Sequence, residues 1–286
     1  MPIDPEKAAG AKLPPSEASW DQDTVILYHL GVGAGMEKPT DPRELEYTYE
    51  KNLKVLPSFG VIPVFSSLGG MAGIPGVSIN YALVLHGEQA IEVHKPIPVA
   101  CDTVSEGRIA GLYDKGKAAL IVLEVATKEK STGDKLFTNY FSVFARGEGG
   151  FGGESGPKAG NQPPDRGPDL VTESRTLPQQ ALIYRLSGDK NPLHADPEFA
   201  KIGGFDTPIL HGLCSYGVVC KSVVDELLDG AVDRVAAYTA RFAGVVYPGE
   251  TIVTSMWKEG EKILISAKTK ERGAPVISNC AITIRG

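Results

Sequence analysis

At 286 residues the chain is long enough for one large domain or two of ordinary size. Its 42% hydrophobic and 22% charged residues describe a soluble globular protein, and a net charge of −6 gives no reason to expect nucleic acid as a partner. The four cysteines form no CxxC pair and no disulfide framework, and no apolar run approaches the roughly 18 residues of a membrane span, so no membrane partner is expected. The opening "MPIDPEKAAGAKLPPSEASW" lacks the apolar stretch of a secretory signal, and the closing Ile284-Arg285-Gly286 is not a peroxisomal tripeptide of the SKL kind. A reducing, cytoplasmic location is the expectation.

In chain order, the first half meets "GVGAG", Gly31 to Gly35. A dinucleotide loop would need a glycine at position 36, where Met36 stands, and a strand before it. A helix ending in glycines is the better reading, and NAD is not expected. Further on, "VFSSLGGMAGIPGVSIN", Val64 to Asn80, is apolar enough for a buried helix. Gly69-Gly70, Gly73 and Pro75-Gly76 oppose a continuous one, at about 1 kcal/mol per glycine and about 3 for an interior proline. From His86 a β-rich run reaches a Pro-containing turn and Asp102-Thr103-Val104, and three more alternating strands follow across turns such as Asp114-Lys115-Gly116.

"GEGGFGGESGPKAGNQPPDRGP", Gly147 to Pro168, is more than half glycine and proline and reads as a flexible or extended linker. It divides the chain into residues 1–146 and 169–286. In the second part, Thr176-Leu177-Pro178-Gln179 has the look of a capping box before a helix through Leu182, Ile183 and Leu186 that stops at Gly188. Asp196-Pro197 can open a short helix that ends at Gly203-Gly204. "HGLCSYGVVCKSVVDELLDG" then predicts a long helix, apolar nearly all round and therefore wrapped by other structure. A second set of strands follows, with Glu250-Thr251-Ile252 answering Asp102-Thr103-Val104 in the first half. The repeat predicts an α+β, double hot-dog fold: two antiparallel sheets, each curled around a central helix.

The stretch "YRLSGDKNPLHADPEFA", Tyr184 to Ala200, sits between two of these helices and just before the central one. It is too polar for a core strand, and Pro192 forbids an ordinary helix interior. Asp196 is read as a helix cap. Asp189, Asn191 and His194 are more than one turn needs. A metal site using Asp189, His194, Asp196 and His211 is disfavoured, because only two histidines are near and no cysteine joins them. General acid–base chemistry fits better: a carboxylate and an imidazole sharing one water can take a proton from it and return a proton elsewhere. Gly212, where the central helix begins, offers an unpaired N–H with the helix dipole behind it, and leaves room for a bulky thioester.

"YRLSGDKNPLHADPEFAKIGGFDTPILHGLC" closely resembles the signature of the hydratase 2 family, the (R)-specific enoyl-CoA hydratases related to MaoC. "ILYHLGVGAG", "LPSFGVIPVF" and "LHGEQ" resemble that family's N-terminal half, so the likeness covers most of the chain outside the linker. The resemblance implies reversible hydration of a trans-2-enoyl-CoA to a (R)-3-hydroxyacyl-CoA in fatty acyl-CoA metabolism. It makes Asp189 and His194 the catalytic pair, Asn191 the polar residue beside them and Gly212 the oxyanion donor. No metal or redox cofactor is expected; coenzyme A enters as part of the substrate. His211 is expected to touch substrate. The first half repeats none of the Asp–Asn–His spacing, and its broken helix is expected to leave a groove for the acyl chain, lined by Phe65, Leu68, Met71 and Ile74. Two hot-dog halves in one chain fit a monomer that mimics a dimer, or a homodimer of such chains. A thioesterase, an acyl-carrier dehydratase and a non-catalytic acyl-thioester-binding protein are the alternatives, since the fold alone does not separate them.

Overall fold

The structure, a computed structural model, describes residues 3–80, 83–158 and 160–286, and the side chains of Ser66, Leu68 and Ala72 lie outside the described residues. The expectation for Leu68 therefore falls outside them. Helices α1 (Pro5–Ala8), α2 (Gln22–Gly31), α3 (Pro42–Thr48), α4 (Gln180–Tyr184), α5 (Pro197–Ile202) and α6 (Gly212–Leu227) accompany ten strands. These are β1 (Ser16–Trp20), β2 (Val84–Val93), β3 (Cys101–Asp114), β4 (Ala118–Glu129) and β5 (Lys135–Arg146) in the first half. The second half holds β6 (Leu170–Arg175), β7 (Val235–Phe242), β8 (Thr251–Glu259), β9 (Lys262–Thr269) and β10 (Pro275–Ile284). Among the described residues, no helix is long and apolar enough to cross a membrane.

The strands run β1-β3-β4-β5-β2-β7-β10-β9-β8-β6, so each half repeats one topology and the two meet at β2 and β7. Here the expectation of two sheets is corrected. Glu88 to Glu92 of β2 pair antiparallel with Arg241 to Ala237 of β7, joining the halves into one ten-stranded sheet. The reason is the edge: each half alone would leave a row of unpaired N–H and C=O groups on β2 or β7, and pairing the two rows satisfies both.

The second half has its central helix where expected. Eleven residues of α6 are buried, including Leu213, Tyr216, Val219, Val223 and Val224, each fully buried aliphatic one contributing about 1.5–3 kcal/mol. A Cβ on Gly217 would meet Val32 Cγ1 at 2.5 Å and Tyr28 Oη at 2.7 Å, so glycine permits the close approach of α6 to the end of α2. The helix stops at Asp229-Gly230, both at positive φ. Among its described residues the first half has no counterpart. Its glycine-rich text forms only 3₁₀ turns, Pro57–Val61 and Phe65–Gly73, and the first of these packs against β2, β5 and β7. "GVGAG" is the end of α2, with Gly33 and Gly35 at positive φ.

Two local readings change. The Thr176 hydroxyl donates to Glu250 O (2.7 Å) and accepts from Gly249 N (2.9 Å), holding the turn before β8 instead of capping a helix. Gln180 Oε1 accepts from Leu177 N instead (3.0 Å), and α4 lasts only five residues before a 3₁₀ turn at Arg185–Ser187. The linker contains no helix or strand among its described residues, yet it is tied down. Asp114 accepts N–H bonds from Gly150 (3.0 Å) and Gly152 (2.8 Å), Asn279 Nδ2 donates to Gly160 O (2.7 Å), and Trp257 Nε1 donates to Arg166 O (2.9 Å).

Candidate active site

The loop from Gly188 to Asp196 is shaped by its own short polar residues. Asp189 Oδ1 accepts from Asn191 N at 3.1 Å, and Asn191 Oδ1 accepts from Leu193 N at 3.0 Å, capping the 3₁₀ turn Pro192–His194. Asp196 caps α5, accepting from Glu198 N at 2.8 Å and Phe199 N at 3.4 Å, so its carboxylate belongs to that helix end. These are Asx turns of the kind that hold a loop without a regular element.

His194 is delivered inward, 8% exposed, and its Nδ1–H donates to Ile209 O at 2.8 Å. A carbonyl only accepts, so the bond fixes the tautomer and leaves the Nε2 lone pair free. Burial holds its pKa below the ordinary histidine value, opposed by the Ile209 carbonyl and the charge of Asp189. His211 stacks on it, ring centroids 3.7 Å apart and planes 29° from parallel. His211 Nε2–H donates to the main-chain oxygen of Asp189 at 3.2 Å, while its Nδ1 is buried without a partner. Burial first, then the neighbouring His194, push the His211 pKa down to about 3. Both rings are therefore neutral at neutral pH.

Asp189, His194 and His211 each offer one potential ligand atom, and these lie within 4.8 Å of one another. Stacked rings, however, send their in-plane lone pairs side by side instead of toward a common ion, which is poor geometry for a metal and no obstacle to proton transfer.

A cavity of about 1180 Å³ reaches Asp189, Asn191, His194 and Gly212. Gly212 is the first residue of α6, exposed to the cavity, with a helix-opening N–H that has no carbonyl one turn back. A Cβ there would sit 3.2 Å from Phe242 Cδ1. Phe65 and Met71 line the cavity; Ile74, 4% exposed, does not, and packs into the core cluster at the end of its 3₁₀ turn. His211, 1% exposed and expected to touch substrate, also does not line it: it is stacked on the His194 ring.

Strand alternation divides the remaining lining into two arms. Val84, Ala145 and Ala119 are register partners on the core side, whereas Leu85, Phe144 and Leu120, also register partners, face the opposite way. An inner arm thus runs past Val84, Phe141 and Val143 to Phe65 and Met71. An outer arm runs over Leu85, Phe144 and Leu120 to Lys115 and Pro157. At the β2–β7 seam Arg241 and Glu88 form an ion pair, Nε to Oε1 2.6 Å, and both line the cavity.

Sequence reasoning did not single out His86, Glu88 or Phe242 as site residues. His86 donates from Nε2 to Glu88 O (3.1 Å) and meets Phe242 edge to face at 5.0 Å, and burial pushes its pKa down to about 4. The signal was present as the Gly87 between His86 and Glu88, where the register of β2 with β5 shifts. Among the basic residues of the second half, Arg241 is neutralised by Glu88, Lys221 is engaged by Glu44 (2.8 Å) and Asp225 (2.6 Å), and Lys201 is exposed on α5.

A carboxylate and a neutral imidazole beside a helix N-terminus, at the meeting of two apolar arms, define an acid–base site for a substrate with a long apolar part. Residues 19–147 match the family described as MFE-2 hydratase 2 N-terminal domain, and residues 159–279 the MaoC like domain. The chain belongs to this hydratase 2, MaoC-like family. It is 47% identical over 279 residues to enoyl-CoA hydratase ChsH3 of Mycobacterium tuberculosis, covering 97% of each chain. It is 40% identical over 289 residues to the peroxisomal enoyl-CoA hydratase 2 of Arabidopsis thaliana, covering 96% of this chain and 93% of that one. The MaoC-like dehydratase from Phytophthora Capsici superposes with a TM-score of 0.86 at 32% identity, covering 99% of each.

Proposed function

We propose that this chain hydrates trans-2-enoyl-CoA reversibly to (R)-3-hydroxyacyl-CoA. The observation that carries the reading is the pairing of Asp189 with a neutral, tautomer-fixed His194 on the cavity that also exposes Gly212. The thioester oxygen accepts from the Gly212 N–H. One water is held between the Asp189 carboxylate and His194 Nε2. Its oxygen bonds to C3 as its proton passes to one of the pair, and the π electrons move onto the thioester oxygen, where the helix N-terminus stabilises them. A proton returned to C2 restores the thioester. The atoms added are those of one water, so the step is complete without a metal or redox group. Asn191 holds the loop in shape through Leu193 N and leaves its Nδ2 donor for the same water.

The inner arm, with Phe65 and Met71, suits the acyl chain. Both halves of the site come from one chain, which supports a monomer as the working unit. Four free cysteines, three of them buried, fit a reducing compartment such as the cytosol.

The test is a crotonyl-CoA assay in which conjugated enoyl absorbance is lost while the thioester stays intact. Asp189→Asn and His194→Gln are near-isosteric and are expected to lower kcat by about 10²–10⁴, the range for a positioned acid or base, with circular dichroism unchanged. Release of free thiol would make the chain a thioesterase. No turnover by the wild type would leave only acyl-thioester binding. Near-wild-type hydration by either variant would reject the mechanism.

A further inference from the structure

The linker between the halves does more than connect them. Residues 148–158 lie between the two family matches, so neither match includes this segment. It is nevertheless held against the first-half sheet at successive points. Asp114 Oδ1 accepts from Gly116 N (2.8 Å) and Gly150 N (3.0 Å), its Oδ2 accepts from Gly152 N (2.8 Å), and its own N–H donates to Glu154 O (3.0 Å). Lys115 Nζ donates to Ser155 O. Gly156, at φ +77°, lies flat on Tyr113: a Cβ there would stand 2.7 Å from Tyr113 Cγ. A Cβ on Gly149 would stand 2.4 Å from Gly116 O, so glycine is required for that approach as well. The next residue, Pro157, lines the outer arm of the cavity together with Lys115, Leu120, Phe144 and Leu85.

The two arms differ in what they can accept. The inner arm is walled by buried side chains, Phe141 at 0%, Met71 at 4% and Val143 at 6% exposure, with Gly69 the exposed residue beside them. On the outer arm Leu85 is 47% exposed, and Lys115 and Pro157 are exposed at its far end. A thioester bound with its carbonyl at Gly212 extends in two directions. Its carrier ends in charged phosphates that must stay hydrated, so the carrier takes the open arm. We propose that the Gly147–Pro157 segment, clamped by Asp114, is a specificity-determining strap that holds the carrier portion of the thioester against Leu85, Leu120 and Phe144. The Lys115 ammonium, held on the Ser155 carbonyl, lies at the exposed end of this arm, where the anionic end of the carrier would come. Asp114 is a positioning residue: it shapes the strap and touches no substrate. This inference rests on the enoyl-thioester reading of the site.

The experiment compares crotonyl-CoA with the crotonyl thioester of N-acetylcysteamine, which carries only the first segment of the carrier arm. Asp114→Ala is expected to raise KM for crotonyl-CoA, shifting the kcat/KM ratio between the CoA ester and the truncated ester about tenfold toward the truncated one. It should also speed tryptic cleavage at Lys158, and Asp114→Asn, which keeps one acceptor, should recover part of both effects. Pro157→Asp, at an exposed position, serves as the second variant and is expected to shift the same ratio through repulsion of the carrier phosphates. Equal losses on both thioesters, or an unmoved ratio in both variants, overturn the strap. A wild type that hydrates neither ester rejects the proposed function; one that hydrates both while the ratio stays fixed rejects the strap alone.

Discussion

Lowering the pH from 7.5 to 5.0 should remove much of the protein's stability, and the histidines supply the magnitude. His29 and His86 are pushed down to about 4 and His211 to about 3, each by burial first. His29 is locked, with Nδ1 on Tyr47 O (2.8 Å) and Nε2 accepting from Leu56 N (3.2 Å), so it has no way to take a proton without breaking a bond. In the unfolded chain all three rings titrate near 6.5. Between about 6.5 and 4 the unfolded state therefore binds more protons than the native one, and stability falls as pH falls; above 6.5 the contribution is fully present. Integrated to pH 5.0, each ring costs about 2 kcal/mol and the three together about 6, against total stabilities of about 5–15 kcal/mol for ordinary domains. His94 and His194 are shifted the same way and add to the loss. Carboxylates held low by ion pairs, such as Glu250 beside Arg272, lose their contribution only below about pH 4.5, outside this window. Urea unfolding at the two pH values reads the difference directly. In His29→Gln the slope of stability against pH near 5 should fall by at most about a third, less as His94 and His194 contribute. A loss below about 1 kcal/mol between pH 7.5 and 5.0 would refute the claim that these rings are buried and neutral.

Three further outcomes are expected. Asp196→Asn, also a good cap, should change neither rate nor stability, whereas Asp196→Ala should cost about 1 kcal/mol in urea unfolding; a collapse of activity in the Asn variant would move Asp196 into the chemistry. Filling the inner arm should harm long chains selectively, and the position for it is Gly69, which lines the cavity and where an added Cβ would have nothing within 4 Å, not Gly70, which faces Leu13 and Pro14. Gly69→Leu should lower kcat/KM for a long-chain enoyl-CoA far more than for crotonyl-CoA, and equal losses would count against the acyl assignment. Gly212→Ala puts a methyl 3.2 Å from Phe242 Cδ1 at the oxyanion position and should reduce kcat toward the roughly 10²–10³ loss typical of a removed donor, with KM for crotonyl-CoA changing less.

What the sequence made legible is what neighbouring residues decide. The α6 helix, its stop at Asp229-Gly230, the Asp196 cap and the interrupted 64–80 segment follow from spacing, glycine and proline within a few positions. What it hid are pairings that span the chain. Arg241 and Glu88 meet 153 positions apart, and nothing near either residue announces the other. Thr176 is drawn to Glu250, 74 positions on, because a buried carbonyl there competes for its hydroxyl more strongly than the end of a five-residue helix. His211 could be recognised as part of the site but not as absent from the cavity lining, since that depends on its stacking on His194. Ile74 keeps the three-residue spacing of Phe65 and Met71, but the 3₁₀ turn ends at Gly73 and Ile74 is already extended, so its side chain leaves the face that the turn presents. The linker's glycines signal freedom in the unfolded chain and close contact in the folded one, and only the Asp114 carboxylate decides between them.

The seam between β2 and β7 has a consequence for stoichiometry. When two identical chains build a site across a twofold axis, every residue appears twice and two equal sites result. Any change that widens one wall widens its mirror image. Joined in one polypeptide, the halves lose that bond: the Asp189–His194 loop exists once, the glycine-broken turns exist once, and the cavity runs from one to the other. One chain therefore holds one reaction centre, and a tight ligand should titrate at one equivalent per polypeptide. The broken symmetry leaves each half free to vary alone: on the proposed assignment of the inner arm to the acyl chain, a mutation in the walls around Phe65 and Met71 alters what is accepted without touching what is done to it.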